Sequence, residues 1–223
     1  MISVIIPTLN EEMTISQIIE GSKPHADEII VIDGHSTDRT VEVVKKMGIK
    51  VVFDNKKGKG AALRHSIKHV KGDVIVFIDA DGSHNPEEIP KLVEPILKGE
   101  ADHVTGSRLI GGSSELHGGF DECFRLMGSS FITACINWKY KVRLSDSQNG
   151  FRAIKTDVIK QLDLKENITT IEQEMIMKTL YKGYKITEVP THEHKRIAGY
   201  SKIKLKKVWY KYVYCLIKNI IYR

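Results

Sequence analysis

Four short apolar runs, Ile2 to Ile6, Ile29 to Ile32, Val51 to Phe53 and Val74 to Ile78, constrain the fold of this chain more than any other feature. They are rich in β-branched residues and do not alternate with polar ones, the pattern of strands covered on both faces of a parallel sheet. Between them, Glu11 to Gly21, Thr37 to Gly48 and Lys59 to Val70 place apolar residues three or four apart, which predicts helices, the second capped by Ser36 or Thr37. Strand and helix in alternation mean βαβ units. Further on, the spacing predicts helices over 86 to 98, 120 to 138, 155 to 162 and 170 to 181, with short strands over His103 to Thr105 and Lys185 to Val189. The Gly/Ser stretch GGSSELHGG, Gly111 to Gly119, reads as a mobile loop. No internal repeat or linker separates two cores, and 223 residues with 41% hydrophobic content make one large packed domain or two small ones.

Charge is unevenly spread. The chain has 34 Lys plus Arg and 28 Asp plus Glu, but nine of the basic residues and none of the acids lie between Lys195 and Arg223. The first 194 residues therefore carry 25 basic against 28 acidic side chains, a net of −3. A body wrapped in nucleic acid needs cations over its contact surface, so that class is excluded and the basic tail is assigned a partner of its own. Cys123, Cys135 and Cys215 are odd in number and form no CxxC pair, which fits a reducing compartment and indicates neither disulfide framework nor zinc cage. The opening MISVIIPTLNEE, with an apolar run of only five positions broken by Ser3 and no cationic leader or small-residue cleavage site, does not read as a signal peptide.

The sharpest chemical feature is VIVFIDADGSH, where an apolar strand delivers Asp79 and Asp81 to its carboxyl end, the edge at which open α/β sheets bind ligands. Two neighbouring carboxylates repel unless a cation or proton intervenes, and a hard divalent ion takes oxygen ligands while keeping places for phosphate. The functional reading is a metal holding a nucleotide diphosphate; a solvated turn leading into a helix at Asn85 or Pro86 is the alternative. Asp33 ends a second buried strand in EIIVIDGHSTDRT, placed either to accept from a base or ribose or simply to make an Asp-Gly turn. IIPTLNEE brings Pro7, Asn10 and Glu11 to the same edge, where Glu11 and Glu12 also suit a helix N-terminus. NKKGKGAALRH lacks the spacing of a nucleotide-hydrolase phosphate loop; it reads as a Gly-rich helix entry in which Lys59 meets phosphate, or as a solvated lysine run.

Taken together, IPTLNEE, VIDGHSTDRT, GKGAAL and DADGSH resemble, in order and spacing, the family 2 inverting glycosyltransferases of the GT-A type. That resemblance implies a Rossmann-like, mainly parallel sheet flanked by helices. It also implies a donor site of Pro7, Leu9, Glu11, Val31, Asp33, Lys59, Asp79, Ala80 and Asp81, with Asp33 reading the base and Asp79 and Asp81 holding Mg²⁺ or Mn²⁺. Beyond residue 105, GSR, the RxxxS of Arg125 to Ser129, NGFRAI, EQEM around Glu174 and RIAGYSK look like the dolichol-phosphate or polyprenol-phosphate sugar synthases of that family. The implied acceptor residues are Arg125, Ser129, Arg196, Ser201 and Lys202, and the implied catalytic set is Asp79, Asp81, Arg108 and Arg196. Two positions depart from the pattern: Gly34 stands where a second Asp is frequent, and Ser83 where Gln often serves as a third metal ligand. His84 and His194 are candidates for completing the coordination, or are solvent-facing.

The implied reaction moves a hexose from a GDP- or UDP-sugar to polyprenyl or dolichyl phosphate. A phosphate monoester is already anionic near neutral pH, its second pKa being about 6, so no general base is required. The chemistry needs a cation on the leaving diphosphate and arginines on the incoming phosphate, proceeds by inversion, and has the 111–119 loop as a lid. Rival readings are transfer to a glycan, protein or diphospholipid, a sugar-1-phosphate nucleotidyltransferase whose Gly/Arg-rich N-terminal loop is missing, and a non-catalytic nucleotide-sugar binder.

The chain divides into a catalytic domain, 1–202, and a tail, 203–223. In the tail, Lys204, Lys207, Lys211 and Lys218 fall on one helical stripe and Leu205, Trp209, Val213, Leu216 and Ile220 on the other. It is too short and too charged to span a bilayer. It suits an anionic membrane interface, with Trp209, Tyr210, Tyr212, Tyr214 and Tyr222 at headgroup depth, on the cytoplasmic face. Packing against its own domain and docking on a small membrane-embedded subunit are the alternatives.

Overall fold

A computed structural model describes residues 1–114, 120–197 and 205–221, with side chains at all of these except 120–124 and 205–207. The strands are β1 (Ile2–Thr8), β2 (Glu28–Asp33), β3 (Lys50–Phe53), β4 (Val74–Phe77), β5 (His103–Ser107), β6 (Arg152–Lys155) and β7 (Ile186–Pro190). They join in one sheet of order β3-β2-β1-β4-β6-β5-β7. Pairing is parallel from β3 to β4 and between β5 and β7, while β6 runs antiparallel to both its neighbours. The helices are α1 (Ile15–Ser22), α2 (Thr40–Lys46), α3 (Lys59–Ser66), α4 (Ile89–Leu97), α5 (Arg108–Gly111), α6 (Phe120–Tyr140), α7 (Thr156–Gln161), α8 (Ile171–Tyr181) and α9 (Leu205–Ile221). The α/β class and mainly parallel sheet expected from the sequence are what is observed.

Each apolar run feeds two cores at once. Val4, Ile6, Val31 and Val76 pack on the layer holding Ile18 of α1, Val44 of α2 and Leu92 of α4. Ile5, Ile30, Ile32 and Ile75 pack on the opposite layer with Leu63 of α3, Val158 of α7 and Met175 of α8. Covering both faces removes the polar alternation a half-exposed strand would show. Each fully buried aliphatic side chain stabilises by roughly 1.5–3 kcal/mol relative to exposure. A third cluster, Ile132 and Ile136 of α6, Ile176 and Met177 of α8, and Cys215 and Leu216 of α9, ties the tail helix to the body.

Several local expectations are corrected. Helix α1 starts at Ile15 because Glu11 to Thr14 make a turn in which the Thr14 and Ile15 amides both donate to the Glu11 carbonyl. Neither Ser36 nor Thr37 caps α2, which begins at Thr40: the Ser36 hydroxyl donates to Asp33 and the Thr37 amide to Asn10. Strand β6 and the single turn of α5 were not anticipated. Arg152 opens β6 yet is 1% exposed, its guanidinium donating to the carbonyls of Asn149 and Glu172. An arginine in that position reads from sequence as surface.

Candidate active site

The strand order reverses between β1 and β4, so the crevice available to a ligand opens beyond the carboxyl ends of β1, β2 and β4. On the β1–β2 side, Thr8 is in register with Asp33. Asp33 is fully buried, and its carboxylate accepts from the Ser36 amide at 2.8 Å and hydroxyl at 2.6 Å. Asn10, in the left-handed region at φ 57°, donates its amide to Ser36 Oγ and accepts from the Thr37 amide at 2.7 Å. The Glu11 amide donates to Thr40 Oγ1 at 2.9 Å. Two strand-end loops are thereby laced into one ledge.

Beyond β4, Asp79 meets Lys59, the first residue of α3, at 2.7 Å. Lys59 also pairs with Glu172 of α8 at 3.1 Å. Helix α3 reaches this point because Gly60 has no Cβ; one would stand 2.5 Å from the Glu166 carbonyl oxygen and 2.6 Å from that of Ile168. Gly150 plays the matching part opposite, where a Cβ would lie 3.0 Å from both Asp79 Oδ2 and Lys59 Nζ. Burial alone would raise the Asp79 carboxyl, but the adjoining ammonium outweighs it and holds the group below the ordinary carboxylate range. Burial works against the charge on Lys59, and its two carboxylate partners reverse that, raising its pKa. Glu172 is pushed up by burial despite Lys59.

Asp81 is differently held. Its Oδ1 accepts from the amide and hydroxyl of Ser83, at 3.0 and 2.6 Å, and its Oδ2 lies 2.7 Å from an Arg196 guanidinium nitrogen. His84 is buried and stacks on Phe151 at 5.1 Å, leaving Nδ1 with no hydrogen-bond partner. Burial keeps its ring below the ordinary histidine range although Asp79, Glu193 and Asp81 pull the other way. Arg108, which opens α5 directly after β5, makes a two-pronged contact with Asp146, at 2.6 and 3.1 Å, and reaches Glu193 at 3.2 Å. Burial opposes the Asp146 charge, and Arg108 overrides it to hold the carboxyl low.

These groups line one cavity of about 350 Å³. Its polar part includes Lys59, Asp79, Asp81, His84, Glu172 and Arg196, and its apolar part includes Leu109, Phe131 and Ile132 of α6, and Trp209 and Val213 of α9. Arg125, Ser129 and Ile132 share one face of α6 and also line it. The structure thus brings together Lys59, Asp79, Asp81, Arg108, Arg125, Ser129 and Arg196. Asp33 belongs to the ledge, with Pro7 half-buried and Leu9 exposed at the same sheet edge. Glu11 follows them in the loop, half-buried. Val31 and Ala80 lie in the core cluster, so their side chains offer a ligand no surface. Ser201 and Lys202 lie outside the described residues, as does most of the 111–119 loop.

Sequence reasoning fixed on Glu174, whose carboxylate instead braces the amides of Lys165 and Glu166. Glu172, two residues earlier and so on another face of α8, is the one in the cavity. Asp146, Gln148 and Glu193 were also missed, and only proximity to the NGFRAI and RIAGYSK signatures pointed toward them. His194 is exposed, apart from the cavity lining.

A mainly parallel α/β sheet with two aspartates at its switch-point crevice defines the class. Residues 3–163 match the model of glycosyl transferase family 2, and this chain belongs to that family. It is 34% identical over 229 residues to the dolichol-phosphate mannosyltransferase of Pyrococcus furiosus, covering 97% of this chain and 64% of the relative. It is 34% identical over 200 residues to the low-salt glycan biosynthesis hexosyltransferase Agl6 of Haloferax volcanii, covering 87% and 48%. The chain therefore spans between about half and two thirds of the length of these relatives. The fold is shared with glucosyl-3-phosphoglycerate synthase of Mycobacterium tuberculosis, solved with Mn²⁺, UDP-glucose and phosphoglyceric acid, at TM-score 0.79 and 24% identity over 98% of this chain and 79% of that one.

Proposed function

We propose that this chain transfers a hexose, with inversion, from a GDP- or UDP-sugar to a polyprenyl or dolichyl phosphate, working peripherally at the cytoplasmic face of a membrane. The observation that carries this reading is a single cavity whose polar part is a cluster of carboxylates and cations and whose wall is apolar, built from α6 and α9. A phosphorylated lipid has that division of character. Relatives named for transfer to dolichol phosphate support the same acceptor class.

In this reading Asp33 meets the base, and Asp79 and Asp81 face the sugar diphosphate. Arg125, Ser129 and Arg196 receive the lipid phosphate, with Ser201 and Lys202 proposed to close over it. Arginine suits that task because its planar fork gives two parallel hydrogen bonds to phosphate. Among the described residues no three His, Cys, Asp or Glu side chains converge into a metal cage. Asp79 and Asp81 instead line the cavity together with His84, whose Nδ1 has no hydrogen-bond partner, and carboxylates of this kind suit an ion that shares its sphere with a ligand's oxygens. Mg²⁺ or Mn²⁺ held by Asp79 and Asp81 would supply positive charge to the departing diphosphate. The acceptor phosphate attacks as the anion it already is, and the protein's task is to align it with the anomeric carbon and exclude water.

Membrane contact is proposed through α9, where Tyr210, Tyr214, Ile217 and Ile221 are exposed and Trp209 is exposed at the cavity wall, together with the exposed Met127, Phe131 and Trp138 of α6. Aromatic side chains of this kind favour headgroup depth. A small membrane-embedded subunit is the other partner this face suits. No helix among the described residues is long and apolar enough to cross a membrane. Of the predicted interfacial tyrosines, Tyr212 faces inward instead: it bonds Thr169, and burial pushes its hydroxyl up to about 12.

The test is product analysis. Full-length protein with Mg²⁺ or Mn²⁺, a panel of labelled nucleotide-sugars and a short polyprenyl phosphate should yield a lipid-phosphate-linked sugar and free nucleoside diphosphate. Pyrophosphate release, or transfer to a glycan with the lipid ignored, overturns the reading.

A further inference from the structure

Away from the cavity, His65 lies in the last turn of α3 and His69 ends the 3₁₀ turn Ile67–His69 that follows it, so the two stand four residues apart on one side of the chain. Their rings meet edge-on, with centroids 5.0 Å apart, and their Nε2 atoms are 3.4 Å apart. That separation is long for a nitrogen-to-nitrogen hydrogen bond. It is the span of two ligands on one tetrahedral ion: bonds of about 2.05 Å opened to the tetrahedral angle separate the nitrogens by about 3.3 Å. Two histidines four apart on one helical face are a recurrent way of presenting such a pair.

The surroundings keep the nitrogens available. Burial first, then the neighbouring His65, Lys50 and Lys68, hold the His69 ring below the ordinary histidine range, so that protons compete little for it near neutral pH. A pair of imidazoles without a carboxylate favours borderline transition ions and gives Mg²⁺ or Ca²⁺ nothing to prefer. Both residues are half-buried, so neither is closed off from solvent.

We propose that His65 and His69 form a two-nitrogen site for one transition-metal ion of the Zn²⁺, Ni²⁺ or Cu²⁺ type, distinct from the carboxylate pair in the cavity. Such an ion fastens the last turn of α3 to the turn that follows it. Lys59, at the opposite end of the same helix, reaches Asp79.

The test uses the full chain and Ni²⁺ as probe, titrated calorimetrically in excess Mg²⁺ so that hard-oxygen sites are taken. The expected result is one Ni²⁺ per chain, with affinity reduced by His65→Gln and by His69→Gln. Each loss should be at least the roughly tenfold that follows from losing a mere outer partner of a metal ligand. Circular dichroism confirms that each variant is folded, and Ni²⁺ should raise the thermal midpoint of the unaltered chain but not of the double variant. Ni²⁺ binding of unchanged affinity and stoichiometry in the folded double variant, or no saturable Ni²⁺ binding by the unaltered chain, overturns the proposal.

Discussion

On the β1–β2 side of the crevice, side chains hold backbone amides: Asp33 takes Ser36, Asn10 takes Thr37, and Thr40 takes Glu11. On the β4–β5 side, charges hold charges: Lys59 sits on Asp79, Arg196 on Asp81, and Arg108 on Asp146. A loop laced through its own amides keeps one shape whether or not a ligand is present. Ion pairs can be exchanged, because an incoming phosphate competes for the arginine and an incoming cation for the carboxylate. The first side is built to be a fixed template and the second to be rearranged by what binds.

The largest effect that sharpens this contrast concerns the most buried pair. Asp146→Ala leaves the Arg108 guanidinium without its main partner, and breaking a buried pair costs about 3–5 kcal/mol, measurable by denaturant unfolding. The same pair predicts acid sensitivity. Asp146 and Asp79 are held below the ordinary aspartate value of 3.8. The folded chain therefore binds fewer protons than the unfolded one just below that value. Their stabilisation is complete above about pH 4 and is lost as pH falls through the lower folded values. The thermal midpoint followed from pH 6 to about pH 3 should fall more steeply for the unaltered chain than for Asp146→Asn; parallel curves would put the acid sensitivity elsewhere.

Next is Asp81→Asn. If the carboxylate pair serves the departing diphosphate, transfer should drop by about 10²–10³-fold, the usual cost of removing one electrostatic stabiliser, while the unfolding midpoint stays close to normal. Full transfer by Asp79→Asn/Asp81→Asn in the presence of chelator would break the comparison at its exchangeable side. Arg125→Ala should lose about 1.5–3 kcal/mol of a charged hydrogen bond, read as a roughly 10- to 150-fold fall in kcat/KM for the lipid phosphate. Unchanged acceptor dependence removes α6 from the acceptor site. The smallest effect belongs to the ledge: Ser36→Ala should cost about 1 kcal/mol of stability and weaken donor binding without altering acceptor KM.

The two sides also differed in how much the sequence revealed. The β1, β2 and β4 runs and the aspartates at their ends were legible because continuous β-branched stretches report burial on both faces, and a carboxylate at a strand end stands out against them. The charge-held side was poorly legible, since its partners come from distant segments: Lys59 meets Glu172 across the fold, and Arg108 meets both Asp146 and Glu193. Helix α8 buries Ile171 through Met177 on every side, so it has no polar stripe from which to tell Glu172 from Glu174. Strand β6 is four residues long and begins with a buried arginine, which hides it from any hydropathy pattern. In the tail, the periodicity gave a helix and an apolar stripe. Leu216 and Ile220 of that stripe pack on the body, while Trp209, at the other end of it, is 57% exposed at the cavity wall beside Val213.

The cavity brings together five carboxylates, Asp79, Asp81, Asp146, Glu172 and Glu193, and four cations, Lys59, Arg108, Arg125 and Arg196. Before anything enters, the enclosure is close to electroneutral and leans slightly negative. A nucleoside diphosphate arriving alone would be repelled as often as welcomed, so the anion and its counter-ion are best admitted as a single neutralised parcel, and low salt should not by itself tighten the grip on a bare nucleotide.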